Sequence, residues 1–165
     1  MSDSPPPPVV ERAAQPYLGV RGAVTMTTIG AVADRIGELV ALLAERRVEP
    51  AGPPILRYRV IDMERQLVLE AGVPVPSLDL RVEGDLFVDE LPAGRYAEVT
   101  HHGHPDGLVG ATAALLGWAE REGLTWDVQD GPDGEVWGCR VERYLDEPGQ
   151  PMEDWDTKLS FRLAD

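Results

Sequence analysis

From Tyr17 to Val24 the chain runs YLGVRGAV, a short apolar-rich segment that reads as a strand. The period then changes. Ile29, Val32, Ile36, Leu39, Val40 and Leu43 recur at helical spacing, which predicts one amphipathic helix over residues 29–47. Thr27 or Thr28 suits its N-cap, and Arg46 and Arg47 suit the negative end of its dipole. Pro50, Gly52, Pro53 and Pro54 mark a loop. Ile55 to Ile61 and Leu67 to Val75 read as strands joined by the polar link Asp62 to Arg65.

The second half repeats that order. Leu86 to Leu91 reads as a short strand running into a turn at Pro92 to Gly94, and Arg95 to His101 as a longer one. Pro105 fits the first turn of a helix, with Asp106 favourable at its positive end. Leu108, Ala111, Thr112, Leu115 and Ala119 give that helix its buried stripe, and Gly123 can supply a left-handed cap. After a turn at Asp130 to Gly134, Val136 to Tyr144 and Thr157 to Leu163 read as strands. The pattern is strand–helix–strand–strand, twice, with Tyr17 matching Tyr96 and Tyr58 matching Tyr144. It predicts an α+β fold of two βαββ units, with antiparallel sheets, helices on one side and a cleft between the halves. The expected organisation is a disordered proline-rich tail over 1–9 and one domain over 10–165, with halves of about 10–82 and 83–165.

Composition narrows the function classes. At 165 residues, 43% hydrophobic and 27% charged, the chain can bury a real core. No apolar run approaches the roughly 18 residues of a membrane span, and Met1 to Pro8 lacks the features of a signal peptide. The single cysteine, Cys139, excludes an intramolecular disulfide and suits a reducing, cytoplasmic setting. Net charge is −14, and it is uneven. Residues 1–82 carry 10 acidic and 9 basic groups, whereas residues 83–165 carry 19 and 6. That balance argues against direct nucleic-acid binding, while an acidic half can draw cations toward a cleft. No membrane role is indicated, and no feature identifies a protein partner.

The sharpest chemistry lies in VWGCRVERY. Strand alternation puts Glu142 and Tyr144 on one face and Trp137, Cys139 and Val141 on the other. A carboxylate beside a phenol can bind a cation or orient a water. A solvated edge strand, with Glu142 paired to Arg140 or Arg143, accounts for the same residues. Trp118, Trp126, Trp137 and Trp155 gather around this strand in sequence. Ring faces near a carboxylate suit planar cations, although Trp118 and Trp137 are better read as core. The run HHGH, His101 to His104, tempts a metal reading. Alternation and the intervening Gly103 scatter the rings, so no metal is expected there. There is no phosphate-binding glycine loop and no nucleophile elbow, and no cofactor is implied.

Three segments carry a resemblance: ELPAGRYAEVTHHGHPDGL (90–108), RVERYLDEP (140–148) and WDTKLSFRL (155–163), with GPPILRYRVID (52–62) in the first half. Their order, spacing and duplication, over about residues 10–164, resemble the GyrI-like small-molecule-binding domain. That family includes the effector-binding domains of multidrug-sensing transcription regulators. The resemblance implies a pseudo-twofold pair of βαββ units with the Glu142–Tyr144 pair in the cleft between them. In drug-sensing relatives the glutamate faces lipophilic cations between aromatic rings; here Tyr58, Tyr96, Trp137 and Trp155 are the candidate rings. In some stand-alone relatives the same pair is implicated in hydrolysis of cyclopropanoid DNA-alkylating natural products, which would make Glu142 and Tyr144 catalytic. Other members are named for protecting gyrase. A haem-binding family shares the fold class, but only HHGH speaks for haem here. Pro105 stands near the turn where relatives often carry a tyrosine, which removes one aromatic from the cleft. The leading expectation is a stand-alone binder of hydrophobic or cationic small molecules. A cyclopropanoid hydrolase is the alternative, and a gyrase-directed regulator the third reading.

Overall fold

A computed structural model describes residues 8–62, 64–145 and 149–165. Residues 1–7 of the expected tail, and the end of the 140–148 motif, lie outside these. Among the described residues ten strands form one curled antiparallel sheet: β1 Val9–Arg12, β2 Gln15–Val24, β3 Ile55–Asp62, β4 Gln66–Pro74, β5 Leu86–Leu91, β6 Gly94–His102, β7 Val128–Gly131, β8 Gly134–Trp137, β9 Arg140–Tyr144 and β10 Asp156–Arg162. Val9, assigned to the tail from sequence, is the first residue of β1. That strand is four residues long, too short to show a period, and it gains its hydrogen-bond partner only from the distant β6.

The main path through the sheet runs β1-β6-β10-β9-β3-β4-β2-β5. β3 and β9 therefore form the centre, each from a different half of the chain. The first strand of each half crosses over: β1 pairs with β6, and β5 with β2. In the central pair Leu56 stands opposite Glu142, and each is followed two residues later by a tyrosine, Tyr58 and Tyr144. β3 carries a bulge between Tyr58 and Val60, and it pairs with β8 beyond that point.

The expected helix over 29–47 is two: α1 Gly30–Ala33 and α2 Ile36–Glu45. At Asp34 and Arg35 ψ rises to −13° and −5°, a tightened turn. Arg35 there is held by Asp85, ahead of β5, and by Glu38. Neither threonine caps the helix; Ile29 is the N-cap, and Thr28 Oγ1 accepts from the Thr25 amide instead. Pro105–Gly107 form a 3-10 turn, with His104 Nδ1 accepting from the Asp106 amide, before α3 Leu108–Arg121. Gly123 closes α3 with φ +71°, a conformation that glycine adopts without strain.

The helices cover one face of the sheet. α1 packs on β2 and β4, α2 on β4, and α3 on β6. Leu39, Leu43 and Leu115 join Leu18, Leu67, Leu69, Leu159 and Phe161 in that core. Each such side chain contributes about 1.5–3 kcal/mol of burial. A second, smaller cluster on the opposite face holds Tyr17, Ile55, Leu91, Tyr96, Cys139 and Val141. The central strands β3 and β9 thus lie between elements that carry the helices of each half.

Candidate functional site

Glu142 sits in the middle of β9, on the helix-bearing face, and is 8% exposed. Tyr144, two residues along the strand, donates its hydroxyl to Glu142 Oε1 at 2.7 Å. Tyr58 donates to the same oxygen from the neighbouring strand at 3.2 Å. The antiparallel register explains the meeting: with Leu56 opposite Glu142, the side chain two positions on in either strand reaches the carboxylate from opposite ends.

Burial pushes the Glu142 carboxyl above its usual 4.5, and the two phenolic hydrogen bonds and the charge of Arg140 offset only part of that. Both hydroxyls are driven upward by desolvation and by Glu142 itself, so they remain protonated donors. The carboxylate is hydrogen-bonded by neutral groups, with no ion pair among the described residues.

Arg140 lies on the same face two residues earlier. Its guanidinium carbon is 4.6 Å from the Phe161 ring centre, 4.8 Å from that of Trp137 and 5.7 Å from that of Tyr58. Its Nε is buried without a hydrogen-bond partner, and desolvation pulls its pKa down. Those ring faces are therefore already occupied by a cation of the protein itself. The residue spacing carried this signal, since Arg140 and Glu142 are two apart on a strand, but nothing in sequence indicated that Phe161 would complete the box.

Two expectations about the aromatic set change. Alternation put Trp137 on the face opposite Glu142. The strand breaks at Gly138–Cys139, where Gly138 N donates to Asp127 O and Cys139 O accepts from Arg162 N. The break resets the alternation, so Trp137 joins the helix-side core while Cys139 and Val141 face away. Trp137 also packs on Trp126 and Phe161, as a core residue does. Tyr96, expected beside Glu142, lies on the opposite face. On β6 it alternates with Ala97, which stands opposite Phe161 on the helix side, and the Tyr96 hydroxyl donates to Pro92 O at 2.6 Å. Trp155 does reach the cluster: its ring is edge-on to Tyr144, with centres 6.4 Å apart, and its Nε1 donates to Gln150 O. The structure thus gathers Glu142, Tyr144, Tyr58 and Trp155, with Trp137 behind Arg140.

The histidines take separate partners. His101 Nε2 meets His104 O, His102 Nδ1 meets Asp156 Oδ1, and His104 serves the turn before α3. Among the described residues no group of three His, Cys, Asp or Glu side chains is placed to hold a metal ion. No helix among them is long and apolar enough to cross a membrane.

A curled antiparallel sheet bearing helices over each half, with a buried carboxylate and two phenols on its central strands, defines a class of small-molecule-binding domain. The family model for the GyrI-like small molecule binding domain matches residues 5–164, and the chain belongs to that family. Its fold is shared with the EcmrR protein seen in a cryo-EM complex with DNA, at TM-score 0.73 and 19% identity over 96% of this chain and 57% of that one. The chain therefore spans little more than half of that relative. It is also similar to SAV2435, solved bound to tetraphenylphosphonium, at TM-score 0.63, 10% identity, 96% of this chain and 93% of that one. A hydrolase from Listeria innocua superposes at TM-score 0.61, with 14% identity, 96% of this chain and 92% of that one. No curated protein sequence matches.

Proposed function

We propose that this chain binds lipophilic organic cations at Glu142, between Tyr58, Tyr144 and Trp155. The observation that carries this reading is the Glu142 carboxylate, buried and, among the described residues, held only by neutral phenols. A cation that reaches it supplies the missing counter-charge. At about 4 Å and an effective dielectric near 20, the attraction is of order 4 kcal/mol before both groups lose water, so the net gain is smaller. The binding of tetraphenylphosphonium by the structural relative SAV2435 supports the ligand class. The carboxylate is nearly covered, so the ligand enters by displacing the side chains above it. Arg140 already lies over Trp137, Phe161 and Tyr58, which leaves Tyr144 and Trp155 as the ring faces available to a ligand, with Tyr58 contributing its hydroxyl.

The test is a titration of tetraphenylphosphonium and of neutral triphenylphosphine oxide into wild type and Glu142→Gln. The substitution keeps the shape and removes the charge. It is expected to weaken the cation by roughly 1–3 kcal/mol and to change the neutral compound far less. Equal cation affinity for both proteins would remove Glu142 from the site.

A second reading, hydrolysis of cyclopropanoid natural products, is favoured by the upward-shifted Glu142 carboxyl, since a general base works best with a pKa near the working pH. Glu142 would take a proton from water as the oxygen attacks the strained ring carbon. The breaking carbon–carbon bond would send its electrons to the conjugated carbonyl, whose oxygen then takes a proton. Both phenols donate to Oε1 in the resting site, so orienting a substrate carbonyl requires one of them to let go. Product heavier by one water in wild type, and none in Glu142→Gln, would establish turnover.

We also read residues 10–82 and 83–165 as a duplicated unit within one domain. Support comes from the crossed edge strands and from the matched Leu56–Tyr58 and Glu142–Tyr144 spacings about the central pair. The single buried cysteine suits a cytoplasmic setting.

A further inference from the structure

Arg143 follows Glu142 in the chain and therefore points to the other face of the sheet. It is 7% exposed, it makes no hydrogen bond or ion pair with any described residue, and its Nε is buried without a partner. It lines a cavity of about 300 Å³, together with Arg12, Gln15, Leu91, Tyr96 and the exposed Glu11.

Arg12, Gln15 and Tyr96 are already engaged. Arg12 grips Glu98 through Nε at 2.5 Å and Nη2 at 3.0 Å, and Ser160 also donates to Glu98. Gln15 Nε2 donates to the carbonyls of Pro16 and Val75, and the Tyr96 hydroxyl to Pro92. Glu11 stands opposite Arg95, is exposed, and adds its carboxylate to the lining. Glu98 faces both guanidiniums. Burial and the like charge of Arg12 both disfavour the charged form of Arg143, against the pull of Glu98. Arg12 and Glu98 bond each other, which leaves the Arg143 guanidinium without a bonded partner among the described residues.

An unpaired buried guanidinium is costly unless something completes it. Its planar fork matches a carboxylate. The cavity is near the lower end of the volumes that hold small ligands, larger than an inorganic anion needs, and Leu91, Pro92 and the Tyr96 ring give it apolar walls. We infer that this cavity is a second ligand site, on the opposite face of the sheet from Glu142, for a small organic carboxylate that pairs with Arg143 and lays its apolar body against Leu91, Pro92 and Tyr96.

The test uses benzoate as probe on the full chain, with benzamide as the neutral analogue and inorganic phosphate as the competing anion. Calorimetry is expected to show saturable binding at one equivalent. Amide shifts are expected at Ala13, Ala14, Tyr96 and Arg143. Benzamide and phosphate should each bind at least tenfold more weakly. Arg143→Met should weaken benzoate at least tenfold and melt no lower than wild type, because it removes an uncompensated buried charge. Benzoate should raise the melting temperature of wild type and not of Arg143→Met. Arg143→Lys keeps the charge, loses the fork, and should bind at least threefold more weakly. Non-saturable binding, wild-type affinity in both variants, or phosphate binding as tight as benzoate would each overturn the inference. So would shifts centred on Tyr144 and Trp155, which would place benzoate in the Glu142 site. A fall in melting temperature on Arg143→Met would overturn it too, by showing that internal contacts already satisfy the guanidinium.

Discussion

Glu98 and Glu142 are two buried carboxylates on one sheet, 5% and 8% exposed, and their surroundings make them opposites. Both are desolvated. Glu98 is gripped by Arg12 through two nitrogens and receives the Ser160 hydroxyl; these outweigh burial and hold its carboxyl below the usual 4.5. Among the described residues Glu142 receives two phenols and no cationic donor, so burial prevails and its carboxyl rises. The first is a completed ion pair that ties β1, β6 and β10 together. The second is an incomplete one at the centre of the sheet. Burial alone does not set the direction in which a carboxyl shifts; the partners supplied by the protein do.

The largest expected effect breaks the completed pair. Glu98→Gln should lower stability by about 2 kcal/mol in urea unfolding at pH 7, because it removes charge-assisted hydrogen bonds and leaves Arg12 without its partner; the value is held down by the partial exposure of Arg12. A loss under half that size would erase the contrast with Glu142.

The next separates the two by the sign of a charge deletion. Glu142→Gln should raise stability by on the order of 1 kcal/mol at pH 8, since it removes a desolvated charge while an amide oxygen can still accept from Tyr144 and Tyr58. A destabilised Glu142→Gln would mean that the carboxylate is paired after all.

The pH dependence follows from the same two directions. The Glu142 carboxyl is raised on folding, so between the usual 4.5 and its folded value the native state holds the extra proton. Stability therefore falls as pH rises through that window. The Glu98 carboxyl is lowered, so its stabilisation is full above 4.5 and is lost as pH falls toward its folded value. Melting curves from pH 3 to 8 should show the acid limb flattened by Glu98→Gln and the decline above 4.5 flattened by Glu142→Gln. The same limb responding to both substitutions would refute the assignment.

The smallest effects grade the two phenols. Tyr144→Phe removes the 2.7 Å donor and should cost about 1 kcal/mol, whereas Tyr58→Phe removes the 3.2 Å donor and should cost about 0.5 kcal/mol. Each should push the Glu142 carboxyl further up, read from its side-chain carbon shift during an NMR titration, with Tyr144→Phe the larger. The reverse order would shift the dominant contact to β3.

Local pattern located most of this architecture. The strands around Tyr17, Ile55, Leu67 and Thr157 fall within a residue or two of their expected bounds, because apolar runs between turn residues are a local signal. The shared face of Glu142 and Tyr144 followed from the period of a strand and needed nothing else. The failures have physical reasons as specific. Trp137 changed face because Gly138 and Cys139 leave the pleat to bond Asp127 and Arg162, partners set by the fold. The helix over 29–47 divided where Arg35 is drawn to Asp85, fifty residues away.

The sequence by itself determined the α+β order of elements, the family, and a carboxylate and a phenol two positions apart on one strand. Only the tertiary structure brought Tyr58 to that carboxylate, sent Tyr96 to the far face, and gave Arg12 to Glu98 rather than to Glu142. The reason is that strand periodicity is written along the chain, whereas register and strand order are set by pairing between distant segments. Which buried charge is neutralised by a cationic donor, and which is held by phenols, is decided by that pairing.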